Sequence, residues 1–126
     1  MTHWQAALLG AGFGIVAAFL FENRASSVRD IAETVGIFGI AGAAGGWTAA
    51  TRSIGVQQKA LRVVAASAFG GLSAGIAALI VGSVYYVLAY PYDGQSLISG
   101  IMAGIDAFVA GLVTGGIIGA QRRIER

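Results

Sequence analysis

One carboxylate stands inside an apolar stretch of this chain. Asp106 is the only charged residue in the run 94–121. If a helix runs through it from Ser96, Asp106 lies about 15 Å from its start, at 1.5 Å per residue. That is near the middle of a bilayer core. An ionised side chain at such a depth costs about 2.5–3.5 kcal/mol even on the lenient insertion scale. It must take up a proton, meet a partner or line water. A protonatable group at the midplane is also what proton or cation translocation needs. Ser99 lies seven residues earlier, on the same helical face. Thr114 lies eight residues later, and Thr48 in an earlier segment is expected opposite. Asp106, Ser99, Thr114 and Thr48 therefore form the candidate ion or proton path. The plainer alternative is a protonated Asp106 that hydrogen-bonds across a helix interface. No Lys or Arg sits at matching depth to pair with it.

No other constellation points to chemistry. The chain has no cysteine and one histidine, His3, so thiol chemistry, disulfides and a metal cluster are not expected. No Ser/His/Asp or Cys/His arrangement can be assembled, and no catalytic residue or cofactor is assigned. Gly10-Ala-Gly-Phe-Gly lies inside an apolar helix without a preceding strand, so it is no dinucleotide fingerprint. Glu33 falls in the first turns of a helix, where the macrodipole favours a carboxylate. A solvated or capping role is expected for it. The net charge of +2, without a basic patch interleaved with aromatics, excludes nucleic acid as a partner. An enzyme is the least expected class.

The elements that would hold Asp106 are read from the apolar runs. Of 126 residues, 56% are hydrophobic and 11% charged, with 20 glycines besides. A soluble domain carries about 25% charged residues. Lipid suits this composition better than water. The runs 4–21, 63–92 and 94–121 are long enough to cross a hydrocarbon core. A cleaved signal peptide at 4–21 is disfavoured, because no Lys or Arg precedes the run and no small-x-small site follows it. The run 34–51 is uncharged but dominated by Gly and Ala, and would partition weakly. Ser27 and Asp30 form a capping-box-like pair before it. The expected fold is one all-α transmembrane domain over 1–126, a four-helix bundle of two Gly/Ala-rich hairpins. The helices are expected near 4–21, 27–51, 57–90 and 96–121. A three-span chain, with 34–51 not crossing, is the alternative.

Charge sets the orientation. With four spans, Arg52, Lys59, Arg62, Arg122, Arg123 and Arg126 share one side. The positive-inside rule makes that side, and the C-terminus, cytoplasmic. The bacterial inner membrane or its equivalent is the expected location. Trp4, Tyr85, Tyr86, Tyr90 and Tyr92 are expected as anchors at the headgroups. Tyr90-Pro-Tyr-Asp-Gly94 reads as a turn on the outer side. With three spans all 8 basic residues would share one side, so charge alone slightly favours three, and a weak internal repeat is what supports four. It lays Gly10 and Gly14 over Gly71 and Gly75, and Phe38 over Phe108.

Small residues recur every fourth position, which keeps them on one helix face. Gly10 and Gly14 lie in the first helix, Gly42 and Gly46 in the second. Gly71 and Gly75 lie in the third, where the main stripe is Ala66, Gly70, Ala74, Ala78 and Gly82. The fourth carries Ser99, Ala103, Ala107, Gly111, Gly115 and Gly119. Lipid gives no hydrophobic drive between helices, so such faces are packing seams. At least one, best the fourth, is a candidate contact with a second copy.

The leading expectation is a self-associating channel, pore or small transporter-like bundle, with the lipid bilayer and further membrane subunits as its partners. A structural or accessory subunit of a larger membrane complex is the alternative. A holin-like lesion former is a third, similar only in size, span count and charged tail. Met102–Gly111 resembles the carboxylate helix of the proteolipid rotor rings of ATP synthases. That family keeps its polar loop on the side of the catalytic head, whereas Tyr90–Ser96 is expected outside, so the resemblance is set aside.

Overall fold

Thr2 starts the first helix. Its Oγ1 accepts from the Gln5 backbone N–H at 3.2 Å, and Gln5 Oε1 accepts from the Thr2 N–H at 2.8 Å. This reciprocal capping box satisfies two donors that a helix start otherwise leaves bare. The computed structural model describes residues 2–22, 28–53, 55–89 and 96–121. Four helices account for nearly all of them: α1 His3–Glu22, α2 Val28–Ser53, α3 Lys59–Ala89 and α4 Ser96–Ala120. The expected turn at Tyr90–Gly94, the Ser27 cap and the charged tail from Arg122 fall outside the described residues.

Between α2 and α3 the chain turns at Gly55, whose φ of 83° is in the left-handed region. A Cβ there would touch nothing. Backbone angle, not space, therefore calls for glycine at this position.

The helices alternate in direction. Along α1 and α2, Ala6 faces Gly46, Gly10 faces Gly42 and Gly14 faces Phe38. One number rises by four as the other falls by four, which is an antiparallel pair in steps of about one turn. A Cβ at Gly14 would lie 2.6 Å from the Phe38 carbonyl oxygen. Along α3 and α4, Arg62 faces Gly119, Ala66 faces Gly115 and Gly70 faces Gly111. Here a Cβ at Gly119 would lie 2.7 Å from the Arg62 carbonyl oxygen. Backbones approach this closely only where side chains are absent. The aligned positions Gly14 and Gly75 make matching contacts, the first against Phe38 and the second against Phe108.

The four helices form a bundle with α2 and α4 across its short diagonal. Each of these two packs against the other three helices, while α1 and α3 do not touch. α2 also runs antiparallel to α3, from Ala49 beside Gly70 to Ile37 beside Gly82. Three helical segments, His3–Leu20, Lys59–Ala89 and Ile98–Ala120, are long and apolar enough to cross a membrane. α2 does not join them by hydropathy, yet it lies alongside all three. Its 26 residues reach about 39 Å at 1.5 Å each. Gly and Ala make it weakly apolar, and the same residues let three neighbours close on it.

The packing reverses that of a water-soluble protein. The interior is mostly alanine and glycine: Ala18, Ala41, Ala78 and Ala107 are buried in one cluster with Ile37 and Phe38, and Ala6, Ala49 and Ala66 in another. Ile118 is the largest side chain buried completely. Large apolar groups point outward, with Leu20 and Leu88 both 76% exposed. In water each such group would gain about 1.5–3 kcal/mol by moving inside. Soluble monomers rarely show an apolar patch beyond a few hundred Å²; here the outward belt follows every helix.

Candidate functional site

Asp106 sits at the edge of the buried face of α4. Its neighbours Ala103, Ala107 and Ala110 are buried, whereas Met102, Val109 and Val113 are exposed. Asp106 itself is half-buried. By helical rise it lies about 15 Å from the Ser96 end of α4 and about 21 Å from the Ala120 end. Among the described residues nothing hydrogen-bonds or ion-pairs with its carboxylate.

The structure does not join the expected path. Thr114 is buried, and its Oγ1 donates to the Ala110 carbonyl at 2.8 Å. Thr48 Oγ1 donates to the Ala44 carbonyl at 2.8 Å. Both hydroxyls thus serve the preceding turn of their own helix, as Ser and Thr often do inside helices. Neither reaches Asp106. Ser99 is half-buried on the Asp106 side of α4, two turns away. The polar seam therefore reduces to Asp106 and Ser99 on one edge of one helix.

The glycines singled out by spacing lie between helices of the same chain. Gly10, Gly14, Gly42 and Gly46 fill the α1–α2 contact, and Gly71, Gly75, Gly111, Gly115 and Gly119 the α3–α4 contact. The α4 stripe, the candidate contact with a second copy, is occupied by α3. Ala66 backs Gly115, and Gly70 backs Gly111. A copy would have to use another face.

A second polar contact escaped the sequence reading. Tyr85 donates to Oε1 of Glu33 at 2.6 Å, linking α3 to α2. Tyr86 packs edge-on against Tyr85, with centroids 5.5 Å apart. Both tyrosines are half-buried and lean on the core. Glu33 is half-buried too, an acceptor between helices instead of a solvated end group. Tyr90 and Tyr92 lie outside the described residues. No local pattern announces this pair, because the partners are far apart in sequence and meet only through the α2–α3 register.

The opposite end of the bundle is basic and aromatic. Trp4 is 71% exposed and meets Trp47 edge-on at 5.2 Å, while His3 lies 5.3 Å from the same ring. Arg52 stands over the Phe69 ring at 5.1 Å, within cation–π range. Arg62 Nε donates to the Gly119 carbonyl at 2.7 Å. That carbonyl belongs to the last turn of α4, where a cation also meets the negative end of the dipole.

Among the described residues, the outer surface carries apolar grooves beside these groups. One of about 310 Å³ runs between α3 and α4, over Gly75 and Gly104 and between Leu72, Leu79, Ile101 and Phe108. Another, on α1, is lined by Leu8, Leu9, Gly12, Phe13 and Val16. Their walls suit acyl chains or apolar side chains, not ions. Comparison of the chain with protein-family models, with curated proteins and with solved structures gives no match.

Proposed function

We propose that the chain is an integral membrane protein with four spans that self-associates as a small channel, pore or transporter-like bundle. The observation that carries this reading is Asp106, a half-buried carboxylate without a described partner, midway along a helix otherwise apolar. The outward belt of large aliphatic groups supports the bilayer as solvent. The antiparallel run of α2 beside α1 and α3 supports four spans arranged as two Gly/Ala-rich hairpins. With Arg52, Lys59 and Arg62 at one end, the positive-inside rule makes that end cytoplasmic. A bacterial inner membrane or its equivalent fits.

Asp106 is the group that would carry or gate the ion or proton. Thr48 and Thr114 are bonded within their own helices, so the path would follow the rim of α4 past Ser99. The test is flux through vesicles containing the purified protein. Asp106→Asn is expected to abolish proton or cation flux, and unchanged flux would remove the ion path.

A second reading is an accessory subunit of a larger membrane complex. The wholly apolar groove between α3 and α4 favours it, since that groove fits a partner helix better than a solute. Native mass spectrometry of the detergent extract separates the two. A homo-oligomer supports the first reading, and a heteromeric complex supports the second.

A further inference from the structure

We infer that two copies of the chain pair through the outward edge of α4, with their Asp106 side chains meeting at a twofold axis along the membrane normal. The inference rests on the membrane reading and the self-association proposed above, and it names the face and the group that hold the copies together.

The argument begins with what covers Asp106. Its carboxylate has no described hydrogen bond, and the residues flanking it on the open side are Met102, Val109 and Val113, all apolar and exposed. Acyl chains offer no donor. A bare polar group in hydrocarbon is costly, so a donor must come from outside the chain. A second copy inserted in the same orientation brings one at the same depth. A carboxyl group donates to a carboxylate or to another carboxyl, so one Asp106 satisfies the other when at least one of them is protonated. Identical surfaces related by a twofold axis are self-complementary, which is the commonest way for copies to pair.

The edge has the spacing such a contact needs. Ser99, Asp106, Val113 and Ala120 recur every seventh residue, with Met102, Val109 and Gly116 between them. Steps of three and four make one seam of a left-handed helix pair, and a single polar residue in such a seam fixes register and partner number. Every position of the seam is exposed or half-exposed in the single chain. Gly116 stands apart from the other glycines of α4: a Cβ there would meet nothing within 4 Å, whereas Gly111, Gly115 and Gly119 are closed off by α3. A glycine with open space on the Asp106 side leaves room for a neighbouring backbone.

The chain lacks cysteine, so single cysteines can be placed at Met102, Val113, Ile105 and Leu8 and oxidised in native membranes. Disulfide-linked dimers are expected from Met102→Cys and Val113→Cys, less from Ile105→Cys, which only borders the seam, and at least tenfold less from Leu8→Cys on α1. In the Val113→Cys background, Asp106→Asn should keep the cross-link, because an amide pairs with itself. Asp106→Leu should weaken dimer formation about fivefold. Gly116→Leu should abolish it while leaving the monomer's helix content and unfolding midpoint unchanged. Equal or stronger cross-linking from Ile105 or Leu8, or silent seam cysteines, overturns the pairing. So does an Asp106→Leu variant that cross-links as well as the parent. Seam cross-links with flux unaffected by Asp106→Asn would leave the dimer and remove the ion path. Silent seam cysteines with flux lost would do the reverse.

Discussion

The hydroxyl of Tyr85 reaches Oε1 of Glu33 across the α2–α3 contact, at 2.6 Å and over 52 residues of sequence. A phenol donating to a carboxylate makes a short, charge-assisted bond when the carboxylate is ionised. Here it ties the least apolar helix to the longest one, near the end of the bundle away from Arg52 and Arg62. α2 is the least apolar of the four helices, so contacts with its neighbours carry more of its placement.

Tyr85→Phe removes that bond and keeps the ring. It should lower stability by about 1.5–3 kcal/mol, the range for hydrogen bonds to charged groups. Val84→Ala, one residue away on the exposed side, should change it by less than about 0.5 kcal/mol. Unfolding of the purified protein in mixed micelles checks both. Equal effects from the two variants would show that the hydroxyl contributes nothing.

The α1–α2 ladder separates glycines needed for space from glycines that are not. A side chain at Gly42 meets the Gly10 carbonyl, while one at Gly12 meets nothing within 4 Å. Gly42→Val should therefore cost at least about 2–3 kcal/mol, because overpacking there must move backbone. Gly12→Val should be close to neutral. The readout is folded yield and the midpoint of thermal aggregation, and a neutral Gly42→Val would contradict the close approach.

Arg62 closes the last turn of α4 from the first turn of α3, through its Nε bond to the Gly119 carbonyl. Arg62→Gln loses the cation and the geometry together. A loss of about 1 kcal/mol is expected, with faster amide exchange in the last turn of α4 than in the turn around Ala107. Exchange that stays uniform along α4 would argue that the guanidinium does not cap it.

The proposed four-span topology predicts a labelling pattern. Cysteines at Gln57, which is exposed, and Glu125 should react with a membrane-impermeant maleimide only from the cytoplasmic side. Those at Ser27 and Asp93 should react only from the other. If α2 did not cross, Ser27 and Gln57 would label from the same side.

Much of this arrangement is legible in the sequence. Uncharged runs bounded by Arg, Lys, Asp and Glu mark the helices, and steps of four between glycines mark the faces that meet. The T-x-x-Q start at Thr2 carried the capping box of α1 in plain sight, although the expected helix began only at Trp4. Other features were hidden for physical reasons. A hydroxyl inside a helix has a carbonyl four residues back, and nothing local tells whether it will use that carbonyl or a neighbouring helix. Thr48 and Thr114 use their own, which dissolves most of the expected polar path. The Glu33–Tyr85 bond depends on how α2 registers against α3, a long-range quantity that periodicity alone does not fix. The same holds for the α4 stripe, whose face was clear but whose partner, α3, was not.

The ladder of Ala6, Gly10 and Gly14 against Gly46, Gly42 and Phe38 has a period of four, and a periodic ladder matches itself when it slides by one period. A one-turn slip would set Gly10 against Gly46 and Gly14 against Gly42, again small against small. The aromatic contacts break this translational degeneracy, because Trp47 meets His3 and Trp4 in only one of the two settings. The small residues thus act as a rack along which two helices can travel, and the indole of Trp47 is the pawl that holds them at one tooth.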